Sequence, residues 1–523
     1  MEKWLNAGDV LRNNASLYPE KLGVKDLDRS LTFKQWNDRA NRLANALLGM
    51  GLKPGDRFAA IAYNCMEWME MYAAAAKGGF TFIPLLFRLT PEEYQYICEH
   101  GDAKALIVQK DFVAGVDSIR NKLSIPEGNY ILFGENKIPP GYKDYEEIIE
   151  KAFPEEPDIE IDDEAPWTIT YTSGTTGKPK GVVRSHRSFI AHNWMRIANF
   201  GFTENDRALL VMPMSHINSI YFSWCFTWVS GGVVIYNRAS FNPEEYLKTM
   251  QDEGISFTSL VPTHYVMLLG LPEAVKAKYD MSRVTKLLCS SAPVLKETKI
   301  QAMGYWENAG LFEEYGCTEA GGTTLLRPHE QLSKLGSIGK EVYGIERVRL
   351  LDDDGNPVPD GEVGEICVRS PSMFTEYLKD PEKTKQAFRF GGYFHTGDMA
   401  SRDAEGYYFL SDRKADMIIT GGEKVFPSEV EMLLSKHPKI QEVSVVGIPD
   451  RKWGESVKAI VVLKNGFDAS NGLEEEILEF TRGKITGYKR PKSVDFIPAE
   501  KMPRTATGKI VRRKIREWYK ENQ

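Results

Sequence analysis

The sequence predicts an α/β protein: a large N-terminal domain of layered α/β subdomains plus a small β subdomain, then a smaller C-terminal α/β domain. Three observations lead there. Helix-periodic segments alternate with short apolar ones through the first part of the chain, as in a largely parallel sheet. Between 336 and 411 the signals become short strands and tight turns. Beyond 412 the texture changes again and the chain ends in a basic stretch. At 523 residues the chain is too long for one compact core, and domains are expected at 1–412 and 413–523.

The elements follow in order. Residues 33–50 have helical periodicity and stop before Gly51, and 58–63 is a short apolar strand. Residues 65–77 form a helix ended by Gly78 and Gly79, and 80–84 is the next strand. A proline-rich, acidic connection at 138–166, holding one short helix at 145–153, leads into a strand at 167–171. The most apolar stretch, 221–236, is shorter than a membrane span and is broken by Ser230, Gly231 and Gly232. It reads as a buried helix followed by a strand. Turn signals at 353–356, 359–361 and 405–406 punctuate the β-rich part.

Composition excludes several classes. Hydrophobic residues make up 42% and charged residues 27%, as in soluble globular proteins. The net charge of −7 argues against nucleic acid or an anionic membrane surface as partner, although 481–523 holds 13 Lys/Arg against four Asp/Glu. The six cysteines include no CxxC pair, so neither a zinc site nor a disulfide framework is indicated. No signal peptide and no integral membrane segment is visible, and the expected location is the cytoplasm.

The strongest chemical signal is 171–181, YTSGTTGKPKG, directly after a strand. Glycines let backbone N–H groups approach a polyphosphate, hydroxyls donate to it, and lysines neutralise it. It is not the common P-loop: Thr172 stands at the first glycine position and Pro179 follows Lys178. A kinase signature is absent as well, so phosphotransfer is disfavoured.

The string closely resembles the phosphate-binding loop of the adenylate-forming superfamily, which includes acyl-CoA synthetases, peptide-synthetase adenylation domains and beetle luciferases. Further motifs stand in family order: Ser290-Ser291-Ala292-Pro293, Tyr315-Gly316-Cys317-Thr318-Glu319-Ala320, Tyr393 to Asp398 (YFHTGD), Asp412 to Asp416 (DRKAD), Gly421 to Lys424 (GGEK) and Pro503 to Lys509 (PRTATGK). Alone, most of these would read as turns, caps or surface charges. Six of them in order do not.

The resemblance implies roles residue by residue. ATP and AMP would be held by Thr172, Ser173, Gly174, Thr175, Thr176, Gly177 and Lys180 on the loop. Ala292, Pro293, Glu314, Tyr315, Gly316 and Thr318 would border the adenine and phosphate, with Asp398 and Arg413 on the ribose. Glu319, with Thr175, would bind Mg²⁺. Lys509 would catalyse adenylation from a mobile C-terminal domain pivoting at Lys414 and Ala415, and Ala415 stands where many relatives have Asp or Lys. Gly421, Gly422 and Lys424 would border the CoA channel. His216 would sit beside the reacting carboxylate, and the acyl pocket would be lined by His216, Asn218, Trp224, Trp228 and His264.

The implied reaction is activation of a carboxylic acid to acyl-AMP with loss of pyrophosphate, then transfer to CoA. Mg²⁺ and hydrogen-bond donors suit the approach of one anion to another. A separate carrier-protein phosphopantetheine is the alternative acceptor; only 14 residues follow Lys509, which favours free CoA. The acid is expected to be compact, with a betaine resting on tryptophan faces as one candidate and a small cyclic or branched acid as the other. A homo-oligomer is left open.

Overall fold

The computed structural model describes residues 5–172, 179–238, 240–290, 294–469, 472–505 and 508–519. It forms two compact units, Met1–Val348 with Val368–Phe394, and Arg349–Cys367 with His395–Gln523. By compactness, 349–367 and 395–412 therefore group with the C-terminal residues. A pivot at Lys414 and Ala415 is a separate property, of motion rather than packing.

The first unit contains two sheets. One has nine strands in the order Lys340–Glu341, Gly321–Leu326, Gly310–Cys317, Lys286–Ser290, Phe257–Leu260, Arg207–Leu210, Gly232–Ile235, Leu22–Asp26, Ser30–Thr32. Its six central strands are parallel and its edges antiparallel. The other has eight strands, parallel from Pro166–Thr172 to Lys143–Asp144, with Lys180–Ser185 and Glu376–Tyr377 added antiparallel.

Helices fill the space between these sheets. Phe33–Gly49 starts at a reciprocal cap between Thr32 and Gln35 and buries one face. Glu67–Gly78 is buried on all sides, and its Ala73–Ala76 run lets neighbours approach closely. Ile217–Trp228 is buried from Ile217 to Thr227, which explains why that stretch is apolar without spanning a membrane. One apolar cluster joins Phe58 and Phe82 of the eight-stranded sheet to Ala208 and Phe257 of the nine-stranded one through Trp36, Trp68, Trp167 and Trp224. Large side chains fully buried in this way each contribute about 1.5–3 kcal/mol.

In the second unit Arg349–Leu351 pairs with Gly364–Val368, and Tyr393–Arg402 with Tyr408–Arg413, both antiparallel. A second sheet is built on the long hairpin Ile440–Asp450 and Gly454–Leu463. Val445, Val457, Ala459 and Val461 enter one cluster and Val446, Ile460 and Val462 another. Alternate residues thus feed cores on both faces. Among the described residues no helix is long and apolar enough to cross a membrane.

Candidate active site

Four of the segments singled out in the sequence leave the carboxyl ends of neighbouring parallel strands. Arg207–Leu210 runs on towards His216, Phe257–Leu260 towards His264, Lys286–Ser290 into 291–293, and Gly310–Cys317 into Thr318 and Glu319. Parallel strands put all four ends on one edge, where open α/β sheets bind ligands. In the other sheet, Pro166–Thr172 and Lys180–Ser185 form the two stems of the 173–178 loop, with Thr172 paired to Lys180 and Tyr171 to Gly181. Ser173, Gly174, Thr175, Thr176 and Gly177, like Ala292 and Pro293, lie outside the described residues.

Glu319 is buried. The Tyr377 hydroxyl donates to its Oε1 at 2.8 Å, and Lys180 Nζ lies 3.5 Å from the same oxygen. Lys180 also donates to the Tyr377 hydroxyl at 3.2 Å and sits over its ring. Burial, then the neighbouring Glu319 charge, pushes the Tyr377 phenol far above its usual range, so it stays a neutral donor. Oε2 of Glu319 carries no hydrogen bond among the described residues. The backbone here is fixed by Arg184, whose buried guanidinium donates to the carbonyls of Thr318 at 2.7 and 3.1 Å, Glu319 at 3.1 Å, and Ser372. Gly316 is required by close approach: a Cβ there would lie 2.1 Å from the Gly321 carbonyl oxygen. Tyr315 and Thr318 are half-buried beside it.

His216 caps the helix Ile217–Trp228, its Nδ1 accepting from the Asn218 N–H at 3.3 Å. Asn218 donates to Ser259 at 3.1 Å and to Ser290 at 3.3 Å, both at strand ends. His264 stacks on Phe241 at 4.4 Å, and its buried Nδ1 has no hydrogen-bond partner among the described residues.

Three expectations need correction. Trp224 does not line a pocket: its ring packs against Trp36 and Trp167, at 5.8 and 5.1 Å, inside the core. Trp228, one turn on, meets Trp194 at 5.1 Å. Both rings are taken up by packing against other aromatic rings. The Glu314 side chain is not free for nucleotide either. It is engaged in a buried ion pair with Arg196.

In the second unit, Asp398 and Arg413 are cross-strand partners, with Arg413 Nε 3.0 Å from Asp398 Oδ1. Lys414 is tied to Asp353 at 2.5 Å and Glu365 at 3.2 Å. Burial disfavours the Glu365 charge, but the His395 hydrogen bond and Lys414 outweigh it and hold the carboxyl down at about 2. Next door, the Ala415 carbonyl accepts from Arg516, and Arg512 bridges Asp412, Asp416 and Glu431. The backbone around Ala415 is thus held by the ion pairs and hydrogen bonds of its neighbours. Gly421 and Gly422 form the turn of the hairpin Ile418–Thr420 to Glu423–Val425. Lys424 and Lys509 are exposed, Lys509 in a tight loop where its N–H donates to the Thr505 hydroxyl.

Sequence reasoning missed Arg184, Tyr377, Arg196 and His192. An arginine within the apolar string GVVRS was a signal for the first. Tyr377 gave none, because its partners stand far away in sequence.

The chain matches the AMP-binding enzyme family over residues 11–378 and the AMP-binding enzyme C-terminal domain over 429–509. It is 32% identical to a feruloyl-CoA synthase of Amycolatopsis, over 97% of each chain. It is 33% identical to a long-chain-fatty-acid–CoA ligase of Mycobacterium tuberculosis, over 98% of each. The anthranilate CoA ligase AuaEII, solved with anthranoyl-AMP, superposes with a TM-score of 0.87 at 29% identity, covering 100% of this chain and 98% of that one. The chain therefore belongs to the AMP-binding enzymes, the adenylate-forming class. It is an AMP-forming acyl-CoA ligase, converting a carboxylic acid and ATP to acyl-AMP and pyrophosphate and then joining the acyl group to CoA.

Proposed function

We propose that this ligase activates a compact carboxylic acid in the cytoplasm, with ATP as its magnesium complex and with the labour divided between the two units. The observation that carries the reading is the Glu319 cluster at the carboxyl ends of the parallel strands. Its Oε1 is engaged by Tyr377 and Lys180, which leaves Oε2 for a hard cation. One carboxylate with phosphate oxygens and water is the donor set magnesium takes. Bound there with Thr175, Mg²⁺ would neutralise phosphate charge as pyrophosphate leaves.

The chain's own groups do the rest. Thr172, Ser173, Gly174, Thr176, Gly177 and Lys180 hold the phosphates. Tyr315 and Gly316 border the adenine with Ala292 and Pro293, Thr318 donates to phosphate, and Asp398 and Arg413 take the ribose. His216, fixed as a helix cap, stands beside the carboxylate that attacks the α-phosphate. Lys509 bridges that carboxylate and the phosphate, drawing them into line. Movement about Lys414 and Ala415 then presents Gly421, Gly422 and Lys424 to the pantetheine arm, so that one cavity serves both steps.

The test is product analysis with a panel of acids. AMP and pyrophosphate should accumulate, and Glu319→Gln should slow their formation by about 10²-fold or more. Accumulation of ADP and phosphate instead would sink the reading.

A further inference from the structure

The helix Pro91–His100 opens with a reciprocal cap between Thr90 and Glu93, and its last turn reaches the two stems of the 173–178 loop. Tyr96 and His100 stand one turn apart, so they share a face, and their rings stack at 5.3 Å. Each reaches a different stem. The Tyr96 hydroxyl donates to the Pro179 carbonyl at 3.2 Å, and His100 Nδ1 meets the Tyr171 hydroxyl at 2.8 Å. Tyr171 precedes Thr172 on the first stem, Pro179 precedes Lys180 on the second, and Thr172 and Lys180 are register partners. One helix face therefore grips both stems beside the pair Thr172 and Lys180.

Burial, then the nearby Tyr96, pushes the Tyr171 phenol far above its usual range, so it keeps its proton. Burial, then the Lys379 ammonium, lowers His100 and favours the neutral ring. The Tyr171 hydroxyl thus donates, His100 Nδ1 accepts, and the imidazole proton sits on Nε2. Two backbone outliers stand beside this grip. Asp102, just past His100, has φ +50° and Lys379 has φ +55°, a region that residues other than glycine seldom enter. Their side chains pair with each other at 2.8 Å, and Arg57 holds Asp102 at 3.0 Å and the Gly101 carbonyl at 3.2 Å. An ion pair so exposed adds little stability by itself. Two left-handed residues joined by it mark a geometry imposed by the surroundings, and such strain collects at functional sites. The pair joins the end of the His100 helix to the segment Glu376–Tyr377, whose Tyr377 hydroxyl donates to Glu319. The next residue, Leu378, donates its N–H to the Gly181 carbonyl on the second stem at 2.8 Å.

We propose that Tyr96 and His100 are positioning residues for ATP: they fix the two stems so that Thr172 and Lys180 are aimed at the phosphates. The Asp102–Lys379 pair keeps their helix end in register with Tyr377, and so with Glu319. This rests on the phosphate-site reading of Thr172 and Lys180 given above. Both residues act through the stems, by aiming groups that would otherwise have to be oriented during binding. Pyrophosphate has left before CoA attacks, so the effect belongs to the first half-reaction alone.

Deleting single oxygens while keeping the rings tests this: Tyr96→Phe, Tyr171→Phe and the double variant, in the full-length enzyme, with whichever acid of the panel turns over best. In ATP–pyrophosphate exchange each single change should raise the KM for ATP by about twofold to tenfold, the worth of one neutral hydrogen bond, and the double change by about tenfold or more. The KM for the acid should stay within about twofold of the parent, and so should thioester formation from supplied acyl-AMP and CoA. Lys379→Ala, at an exposed side chain, should raise the KM for ATP by about threefold, and it decides the matter should the double variant fail to fold. An unchanged KM for ATP in these variants, or a loss in thioester formation equal to the loss in exchange, overturns the proposal. Lys180→Met separates this from the reading beneath it: a parental KM for ATP there would overturn the phosphate-site reading instead.

Discussion

Burial decides the chemistry of single residues here, and the histidines show it. His186 accepts from the Ala7 N–H and faces the Trp167 ring; burial pushes it down to about 3 against the pull of Asp163. Burial, then Arg196 and Arg184, hold His192 well below the usual range, and burial with Arg88 lowers His264 to about 4. In the unfolded chain each would titrate near 6.5. The unfolded state therefore binds more protons as pH falls below that value. The stability associated with the neutral rings is full above pH 6.5 and lost progressively towards the folded values. At pH 5 the loss is up to about 2 kcal/mol per histidine. We expect the melting temperature to fall between pH 7.5 and pH 5, and the fall to be shallower in His186→Gln. Identical pH slopes for the two proteins would assign the acid sensitivity to other groups. None of this was readable from sequence, where His186, His192 and His216 look alike. What separates them is depth, and partners such as Arg196 that are brought in by folding.

Elements were more legible than residues, because their signals are local. The helix expected at 33–50 spans Phe33–Gly49, and the strand expected at 80–84 spans Thr81–Leu85. Periodicity, caps and glycine stops carry that information. The face that a helix presents is not local, and so Trp224 was read as a pocket wall although its ring belongs to the core. The hairpin carrying Gly421 and Gly422 shows the gain from geometry. Their φ angles are +59° and +86°, and a Cβ on Gly421 would lie 2.8 Å from the Trp453 ring, whereas one on Gly422 meets nothing within 4 Å. Gly421 is thus held by packing and Gly422 by conformation alone, at a cost of about 1–2 kcal/mol for an L side chain. Gly422→Leu should therefore fold, leave ATP–pyrophosphate exchange within about threefold of the parent, and cut CoA thioester formation by tenfold or more, about the effect of a side chain in a narrow channel. Exchange and thioester formation falling together would remove this loop from the second half-reaction.

At the scale of the whole molecule, the roles proposed for catalysis fall on both compact units. Glu319 and Lys180 belong to the first and Lys509 to the second. The family order of motifs made that division visible in sequence. The charge network that fixes the first unit's share, from Lys180 and Arg184 to Glu319 and Tyr377, was invisible because its members are up to 197 residues apart. A lysine carried on a separate unit has a kinetic consequence that a lysine inside one site would lack. On the division of labour proposed above, it would serve only the half-reaction for which its unit is in place. Lys509 is exposed and its loop is closed by backbone bonds between Thr505 and Lys509, so Lys509→Ala removes a charge without disturbing a core. Acyl-AMP formation, measured by pyrophosphate release, should drop by about 10²-fold or more, because a charge aimed at the transition state is lost. Thioester formation from supplied acyl-AMP and CoA should stay within about fivefold of the parent, since that step has no α-phosphate attack for the lysine to steer. Equal losses in the two half-reactions would show that Lys509 acts on folding or on a shared step, and the division of labour between the units would fall with it.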